Sequence, residues 1–406
     1  MRRFFLLFLS SVVALGFSEL PLAHGQRTDS PNHLVLRTLG KSKGKGFHVE
    51  HNFAGKDGSF PTAALIQDAT GNLYGTTSAG GSGLGVLFKL DSSGNESFRY
   101  AFSGPDGATP FGHVIQDSVG NLYGTTYAGG ASGFGTVFKV DTNGIETVLH
   151  SFSGKPDGAH PYAGLVMDSG GNLYGTTEKG GDFGLGTVFK VDTSDNESVL
   201  HSFAGGSNDG SDPRAALILD ASGNLYGTTF SGGSANKGTV FELDVNNIET
   251  ILHSFSGGTD GGNPFGGVVL DSDGTLYGTT EIGGAAPTHY GCCKSGVVFG
   301  LYGANHTEKV LHTFIGKKDG ATPTSDLVLY NGALYGTTAL GGHGNKGTVF
   351  AVTIADRSER ILHDFTGKSD GGIPHAGLFI DKAGTIYGTS LKGGHFRKGT
   401  VYRITQ

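Results

Sequence analysis

The sequence has no tryptophan and only two cysteines among its 406 residues. Cys292 and Cys293 are adjacent, which excludes a network of disulfides and leaves either a strained bridge between neighbours or two free thiols. A second cysteine pair, which a structural zinc site would normally use, does not occur in the sequence. We therefore expect neither a metal nor another cofactor.

Basic patches and long apolar segments are also scarce. The chain has 29 Lys and Arg against 36 Asp and Glu, a net charge of −7, and its basic residues cluster only at Lys41, Lys43 and Lys45. Nucleic-acid binding would require a basic stripe or face, so nucleic acid is not an expected partner. No stretch after residue 25 shows a useful helical period, which argues against helical domains.

The N-terminus has the pattern of an export signal. Two arginines precede an apolar run from Phe4 to Phe17, and Ala23-His24-Gly25 offers a small-residue cleavage site. The alternative is a membrane anchor, but the run is short for a span of roughly 20 residues. We predict a signal peptide over residues 1–25 and a polar leader over residues 26–46. The mature chain should be a monomer that does not insert into membranes, located in the periplasm or outside the cell.

Glycine is abundant, with 73 residues, and it recurs at regular places. The phrase Gly171-Asn172-Leu173-Tyr174-Gly175-Thr176-Thr177 occurs in seven versions, whose tyrosines lie 49, 51, 52, 51, 58 and 52 residues apart. A near-constant period of this size indicates a repeat architecture. The seven tyrosines are Tyr74, Tyr123, Tyr174, Tyr226, Tyr277, Tyr335 and Tyr387.

Each repeat contains four short runs that are typical of β-strands. In the third copy these runs are Pro161–Asp168, Asn172–Thr177, Gly186–Asp192 and Glu197–Phe203, separated by turns rich in Gly, Asp and Asn. Four antiparallel strands in roughly 50 residues are typical of a propeller blade. The sequence therefore predicts an all-β, seven-bladed β-propeller over residues 47–406.

The two ends of the repeat region complement each other. The last copy stops after its third strand, and a run that resembles the missing fourth strand, Phe47–Phe53, precedes the first copy. Pairing the two would close the ring and remove an open sheet edge. One Tyr on the second strand, one aromatic on the third and one Phe on the fourth should pack between blades in each repeat.

These repeated phrases resemble a known family. Gly-Asn-Leu-Tyr-Gly-Thr-Thr, Gly-Thr-Val-Phe-Lys-Val-Asp and Leu-His-Ser-Phe-Ser-Gly are similar to the Gloeo/Verruco tandem repeat of secreted or surface bacterial proteins. The resemblance covers about residues 47–406. It implies no established activity, and so it identifies no catalytic residues.

Recurrent histidines and aspartates are best interpreted as structural. One His stands at the same position in six copies, for example His150 and His201, whereas a metal site needs ligands that converge on one point. One Asp before Gly, for example Asp157, recurs in all seven copies and is a turn signal. A calcium loop is the alternative, but it would need several alternating oxygen ligands.

Departures from the repeat are more informative because the fold does not require them. The fifth copy carries an insert between Gly284 and Gly296, and unusual polar residues stand near the first strand in other copies. In a propeller these positions share one face, and functional residues concentrate on loops held by a rigid scaffold. Neutral loop drift is the alternative. The predicted ligand-binding residues are His113, Arg214, His289, Tyr290, Cys292, Cys293, Asp326 and His375.

Three functions remain open at this point. A secreted binding or interaction propeller with a glycan or protein ligand fits the variable face best. A propeller hydrolase or lactonase would need an axial metal held by several carboxylates, Asn or His, yet the innermost strands are mostly apolar. A structural cell-surface protein is the third possibility. The adjacent cysteines also suggest a quinone-dependent dehydrogenase, but the lack of tryptophan argues against it. The residues favour a non-enzymatic role.

Overall fold

The computed structural model describes residues 46–285, 295–316 and 318–406. Across these ranges the chain consists of β-strands, turns and loops, arranged as seven small antiparallel sheets around a ring. The predicted seven-bladed propeller is confirmed. The predicted signal peptide, nearly all of the leader and most of the insert lie outside the described residues. In the described ranges, no helix has the length and apolar character needed to span a membrane.

Each blade contains an inner, a second, a third and an outer strand, and blades are numbered here by the order of their tyrosines. The inner strands are Ile66–Gln67, Ile115–Gln116, Val166–Met167, Ile218–Leu219, Val269–Leu270, Val328–Tyr330 and Phe379–Ile380. The second strands are Leu73–Thr77, Leu122–Thr126, Leu173–Thr177, Leu225–Thr229, Leu276–Thr280, Ala333–Leu340 and Ile386–Ser390. The third strands are Val86–Leu90, Thr136–Val140, Thr187–Val191, Thr239–Leu243, Val297–Tyr302, Thr348–Thr353 and Thr400–Thr405. The outer strands are Glu96–Ala101, Glu146–Ser151, Glu197–Ser202, Glu249–Ser254, Thr307–Thr313, Glu359–Asp364 and Gly46–Asn52. Short additional pairings involve Gly210–Ser211, Ser231–Gly232 and Ala321–Pro323.

The ring closes between the two ends of the repeat region, as predicted. The outer strand Gly46–Asn52 pairs antiparallel with the third strand Thr400–Thr405, with Phe47 opposite Ile404 and Asn52 opposite Thr400. Blade seven therefore takes three strands from one end of the described chain and its outer strand from the other. The third strand Thr400–Thr405 is therefore not left as an open edge of the sheet.

Aromatic side chains join every blade to the next. A Phe that follows each outer strand meets the third-strand aromatic of the following blade edge-on, with ring centroids 5.1 Å apart for Phe53 and Phe88. The same edge-on contact occurs in Phe102–Phe138, Phe152–Phe189, Phe203–Phe241, Phe255–Phe299, Phe314–Phe350 and Phe365–Tyr402. These rings have no solvent exposure. They form the core between blades that the sequence predicts, and such pairs stabilise beyond their buried area by about 0.5–1.5 kcal/mol each.

The second-strand tyrosines are less buried than expected. Tyr74, Tyr277 and Tyr335 are buried, whereas the other four are only half-buried. A phenol needs a hydrogen-bond partner, and the hydroxyl of the half-buried Tyr174 donates to Asp168 Oδ2 over 3.0 Å. Asp168 Oδ1 accepts from the backbone N–H of Asn172 at 2.9 Å, so this Asp holds both the turn and the tyrosine.

The first Thr of the repeated Gly-Thr-Thr phrase connects neighbouring blades. The Thr176 hydroxyl donates to the Ala215 carbonyl, on the inner segment of the next blade, over 3.1 Å. The equivalent bond from Thr389 to the Ala63 carbonyl, at 3.3 Å, closes the circle. The remaining bonds are Thr76–Gly112, Thr125–Ala163, Thr228–Gly266, Thr279–Ser325 and Thr337–Ala376.

This circle of bonds explains why the inner strands are shorter than predicted. The sequence indicates a strand over Pro161–Asp168, but only Val166–Met167 pair with the second strand. Among the preceding residues, the Ala163 carbonyl accepts from Thr125 of the neighbouring blade instead. Gly175 of the same phrase makes room for the Phe189 ring, because a Cβ on Gly175 would lie 2.7 Å from Phe189 Cζ.

The recurrent histidines contact the recurrent aspartates. His150 Nε2 lies 3.0 Å from Asp157 Oδ2, while Asp157 Oδ1 accepts from the Ser153 backbone N–H at 3.1 Å. In blade one, Tyr100 replaces the histidine and its hydroxyl donates to Asp106. The Asp therefore organises its turn and holds the His or Tyr side chain, which is the structural role that the sequence predicts.

Candidate binding site at the mouth of the axis

The chain turns toward the axis at seven equivalent residues, each directly before a proline and each in the left-handed backbone region. His160 has φ of 59° and the β-branched Ile373 has φ of 55°. Two backbone hydrogen bonds hold His160: its N–H donates to the Phe134 carbonyl and its carbonyl accepts from the Glu178 N–H. The full set is Phe60, Thr109, His160, Asp212, Asn263, Thr322 and Ile373. This conformation is costly for such residues, and it recurs in every blade, so it serves the architecture.

Residues that follow these prolines surround the mouth of the axis. They line a cavity of about 50 Å³, enough for a few water molecules or one small substituent of a ligand. The residue directly after the proline differs from blade to blade: Thr62, Phe111, Tyr162, Arg214, Phe265, Thr324 and His375. These seven side chains form a ring that combines aromatic faces, hydroxyl groups, one guanidinium and one imidazole.

Aromatic rings make contacts across this mouth. Phe111 and Tyr162 stack with centroids 4.8 Å apart. Tyr162 meets Phe265 edge-on at 5.4 Å, although these rings belong to blades three and five. Phe265 in turn meets His375 of blade seven at 4.9 Å. Burial lowers the pKa of His375 to about 4, so its imidazole is neutral at pH 7.

Arg214 is the positive centre of the site. Its Nη2 and Nε donate to Glu178 Oε1 over 2.9 and 3.2 Å, and its guanidinium carbon lies 4.0 Å from the centroid of Phe230. Burial, with the adjacent Glu178 carboxylate, raises the pKa of Tyr127 to about 12. Burial also raises the pKa of Glu281, and the charge of Arg214 opposes that shift. Arg214 is therefore held by one buried carboxylate and lies near a second.

His113 and Asp326 occupy the same repeat position on opposite sides of the ring. In the other blades this position is Ala or Gly, so only these two polar side chains approach the axis there. Asp326 Oδ1 accepts from the Gly267 N–H at 2.6 Å, which fixes the carboxylate. Burial lowers the pKa of His113, and the charge of Asp326 opposes that shift. A Cβ on Gly164 would lie 2.6 Å from His113 Nδ1, so the small neighbour makes room for the imidazole.

Four of the predicted ligand-binding residues thus line one cavity: His113, Arg214, Asp326 and His375. The other four, His289, Tyr290, Cys292 and Cys293, lie outside the described residues. Sequence analysis did not select Phe111, Tyr162 and Phe265, which surround the same cavity, or Tyr127 and Glu178, which lie behind it. Comparison of the copies carries the missing signal, because two positions vary in residue type among otherwise similar repeats: the one after the proline and the one after Thr-Thr.

The chemistry of this mouth suits recognition. It presents a guanidinium, a carboxylate, two imidazoles and several aromatic rings within one small volume. Ser325 also lines the cavity, but its Oγ accepts from the Thr337 N–H at 2.9 Å and is therefore engaged by the sheet. Within the described ranges, ligand atoms of three or more His, Cys, Asp or Glu residues lie within 4.8 Å of one another only at His201, Asp209 and Glu249. That cluster belongs to the outer strands and their turns, away from the axis.

Comparison with solved structures supports the architecture. A candidate 6-phosphogluconolactonase from Bacteroides uniformis is 16% identical with a TM-score of 0.50, over 80% of this chain and 87% of that one. A second candidate 6-phosphogluconolactonase, from Bacteroides fragilis, is 16% identical with a TM-score of 0.48, over 81% of this chain and 86% of that one. At 16% identity the first likeness concerns the fold alone, and the second, with its lower TM-score, adds no argument. No curated protein sequence matches the chain.

The family comparison is more specific. The model of the Gloeobacter/Verrucomicrobia repeat matches residues 38–235 and 216–406, which together include the whole propeller. The phrases that carry the resemblance in the sequence are the ones that supply the turn aspartate, the inter-blade threonine and the buried aromatics of each blade. The chain belongs to the Gloeobacter/Verrucomicrobia repeat family.

Proposed function

We propose that this protein is an exported binding propeller whose ligand, a glycan, inserts a polar substituent into the mouth of the axis. The observation that carries the proposal is the convergence of His113, Arg214, Asp326 and His375, all of which depart from the repeat, on one cavity. Aromatic faces beside fixed charged groups offer both stacking and hydrogen bonds to a sugar.

The rim around the mouth extends the surface that a ligand can contact. Phe183 and Phe396 stand on loops between second and third strands, at the same end as the mouth, and are 60% and 58% exposed. The insert with His289 and Tyr290 belongs to the equivalent loop of blade five. A saccharide chain that enters the mouth with one residue would cross these loops with the next ones.

The lactonase alternative would place a metal at the axis. His113 and Asp326 are the polar side chains at the innermost ring, and catalysis at a metal normally uses three protein ligands. The shared fold of the solved structures does not carry their activity to this chain. A protein ligand and a purely structural role remain as outcomes of the experiment below.

Binding to a glycan array, followed by calorimetry with the best ligand, tests the proposal. Asp326→Asn keeps the acceptor for the Gly267 N–H and removes the charge, so we expect at least about tenfold weaker binding with the fold intact. Asp273→Asn makes the same change on an exposed turn at the opposite end and should leave the affinity unchanged. Equal affinities for wild type and both variants would contradict the proposed site. Binding to a protein, with no binding to any glycan, would show that the ligand is a protein instead.

A further inference from the structure

The outer strands carry a repeated group of three polar side chains at the boundaries between blades. A His on an outer strand contacts the Asp of the following turn, and a Glu on the next outer strand faces the same Asp. Two boundaries depart from this pattern. Tyr100 replaces the His between blades one and two, and Phe47 stacks on His363 between blades six and seven with centroids 3.6 Å apart. The five complete groups are His51/Asp57/Glu96, His150/Asp157/Glu197, His201/Asp209/Glu249, His253/Asp260/Glu308 and His312/Asp319/Glu359.

The boundary between blades three and four differs in its turn. His201 and Asp209 are eight positions apart, whereas His150 and Asp157 are seven apart. The longer turn also contains Ser207 and Asn208. Here the ligand atoms of His201, Asp209 and Glu249 lie within 4.8 Å of one another, which no other group in the described ranges achieves.

The three side chains are fixed and unevenly charged. Asp209 accepts from the Gly210 N–H at Oδ1 and from the Ala204 N–H at Oδ2, both over 2.6 Å. Glu249 Oε1 is buried and lacks a hydrogen-bond partner among the described atoms. Burial and the neighbouring Asp209 raise the pKa of Glu249 to about 7. Two carboxylates face one imidazole, with no Lys or Arg paired to either of them in the described chain.

We propose that His201, Asp209 and Glu249 bind a divalent transition-metal cation of the zinc class, which links the outer strands of blades three and four. One imidazole nitrogen and two carboxylate oxygens suit zinc, whereas calcium and magnesium prefer all-oxygen sets. The His201 and Asp209 side chains are 20% and 13% exposed, so the cation can enter from solvent and water can complete its coordination. The site is independent of the proposed glycan mouth.

Zinc titration by calorimetry, with metal analysis after dialysis, tests the site. Both cysteines are first replaced by serine, Cys292→Ser and Cys293→Ser, because adjacent thiolates also bind zinc. We expect one zinc per chain in this background. Glu249→Gln should weaken the affinity at least about tenfold, because even indirect supports of metal ligands contribute that much.

The chain supplies its own matched control. Glu308→Gln makes the same substitution at the next boundary, where the groups are further apart, and should retain the zinc. His201→Asn is a second test that leaves both carboxylates in place and should also weaken binding. Absence of stoichiometric zinc, or equal loss in the Glu249 and Glu308 variants, overturns the proposal. Unchanged circular dichroism and a cooperative melting transition without zinc show that each variant has folded.

Discussion

Six glutamates on the outer strands predict an unusual dependence of stability on pH. Each has a buried Oε1 without a hydrogen-bond partner among the described atoms: Glu96, Glu146, Glu197, Glu249, Glu308 and Glu359. Burial, together with the charge of Asp57, raises the pKa of Glu96 to about 7. Burial, together with the charge of Asp106, raises the pKa of Glu146 to about 7. His51 and Tyr100 contact the same two aspartates, and Arg99 reaches across the second boundary to the Asp141 carbonyl.

The sign of the effect follows from linkage. A folded-state pKa above the ordinary value of 4.5 means that the folded protein binds this proton more tightly than the unfolded chain does. The stability that these glutamates contribute is therefore greatest below about pH 4.5, falls as the pH rises toward 7, and stays at the lower level above that. The full shift would correspond to about 3 kcal/mol per group. Because roughly half of each group's surroundings is solvent, screening reduces the expected effect to about 1 kcal/mol.

Replacement of these glutamates by glutamine tests this account. The double variant Glu96→Gln, Glu146→Gln keeps the shape, and its amides can donate to Asp57 and Asp106 as a protonated carboxyl would. At pH 8.5 we expect the free energy of unfolding to rise by about 2 kcal/mol, since the two sites are separate. At pH 4.5 the gain should be much smaller.

Urea denaturation at both pH values measures the difference. Asp273→Asn, which removes an exposed carboxylate, controls for the change in net charge. The reasoning is refuted if the double variant is less stable than wild type at pH 8.5. It is equally refuted if the gain is the same at both pH values, because a packing effect would not depend on protonation.

Two further predictions concern the repeated phrase. Thr176→Val removes the donor to the Ala215 carbonyl and should lower the free energy of unfolding by about 1–3 kcal/mol in urea denaturation, because a buried acceptor loses its partner; an unchanged midpoint would contradict the role of this bond. Gly175→Ala places a methyl group 2.7 Å from Phe189 Cζ and should cost about 1–3 kcal/mol in melting experiments; an unchanged melting temperature would contradict the close packing of this ring.

The sequence was sufficient to predict the fold because its signals repeat. The period gave the blade count, and the split between Phe47–Phe53 and the last copy gave the closure, which the pairing of Phe47 with Ile404 confirms. It did not reveal that Thr176 bonds to the next blade, since a Thr in a strand has many possible partners. The sequence also did not predict that the inner strands are as short as Val166–Met167, because that length depends on contacts between blades.

The candidate mouth was predicted only in part, for a related reason. His113 and Asp326 stand out because Ala or Gly occupies their position in the other blades. Phe265 does not stand out by residue type in a protein with 27 Phe, and only the variation among the copies at the position after the proline marks it. Its importance comes from reaching Tyr162 and His375 across the axis. Contacts between blades three, five and seven cannot be deduced from one repeat.

The backbone explains how the mouth can vary while the ring stays constant. The left-handed residue before each proline donates its backbone N–H to a carbonyl of the preceding blade, so residues as different as His160, Asn263 and Ile373 serve there. The side chains of His160 and Asn263 each add a bond of 2.9 Å to another backbone carbonyl. The side chain after the proline then lies at the mouth in a fixed position, and its identity is not needed for closure. Aromatic pairs and threonine bonds stabilise the ring farther out. Substitutions at the mouth can therefore change its shape and charge with little effect on the fold, which is the condition under which a repeat protein can acquire a specific site.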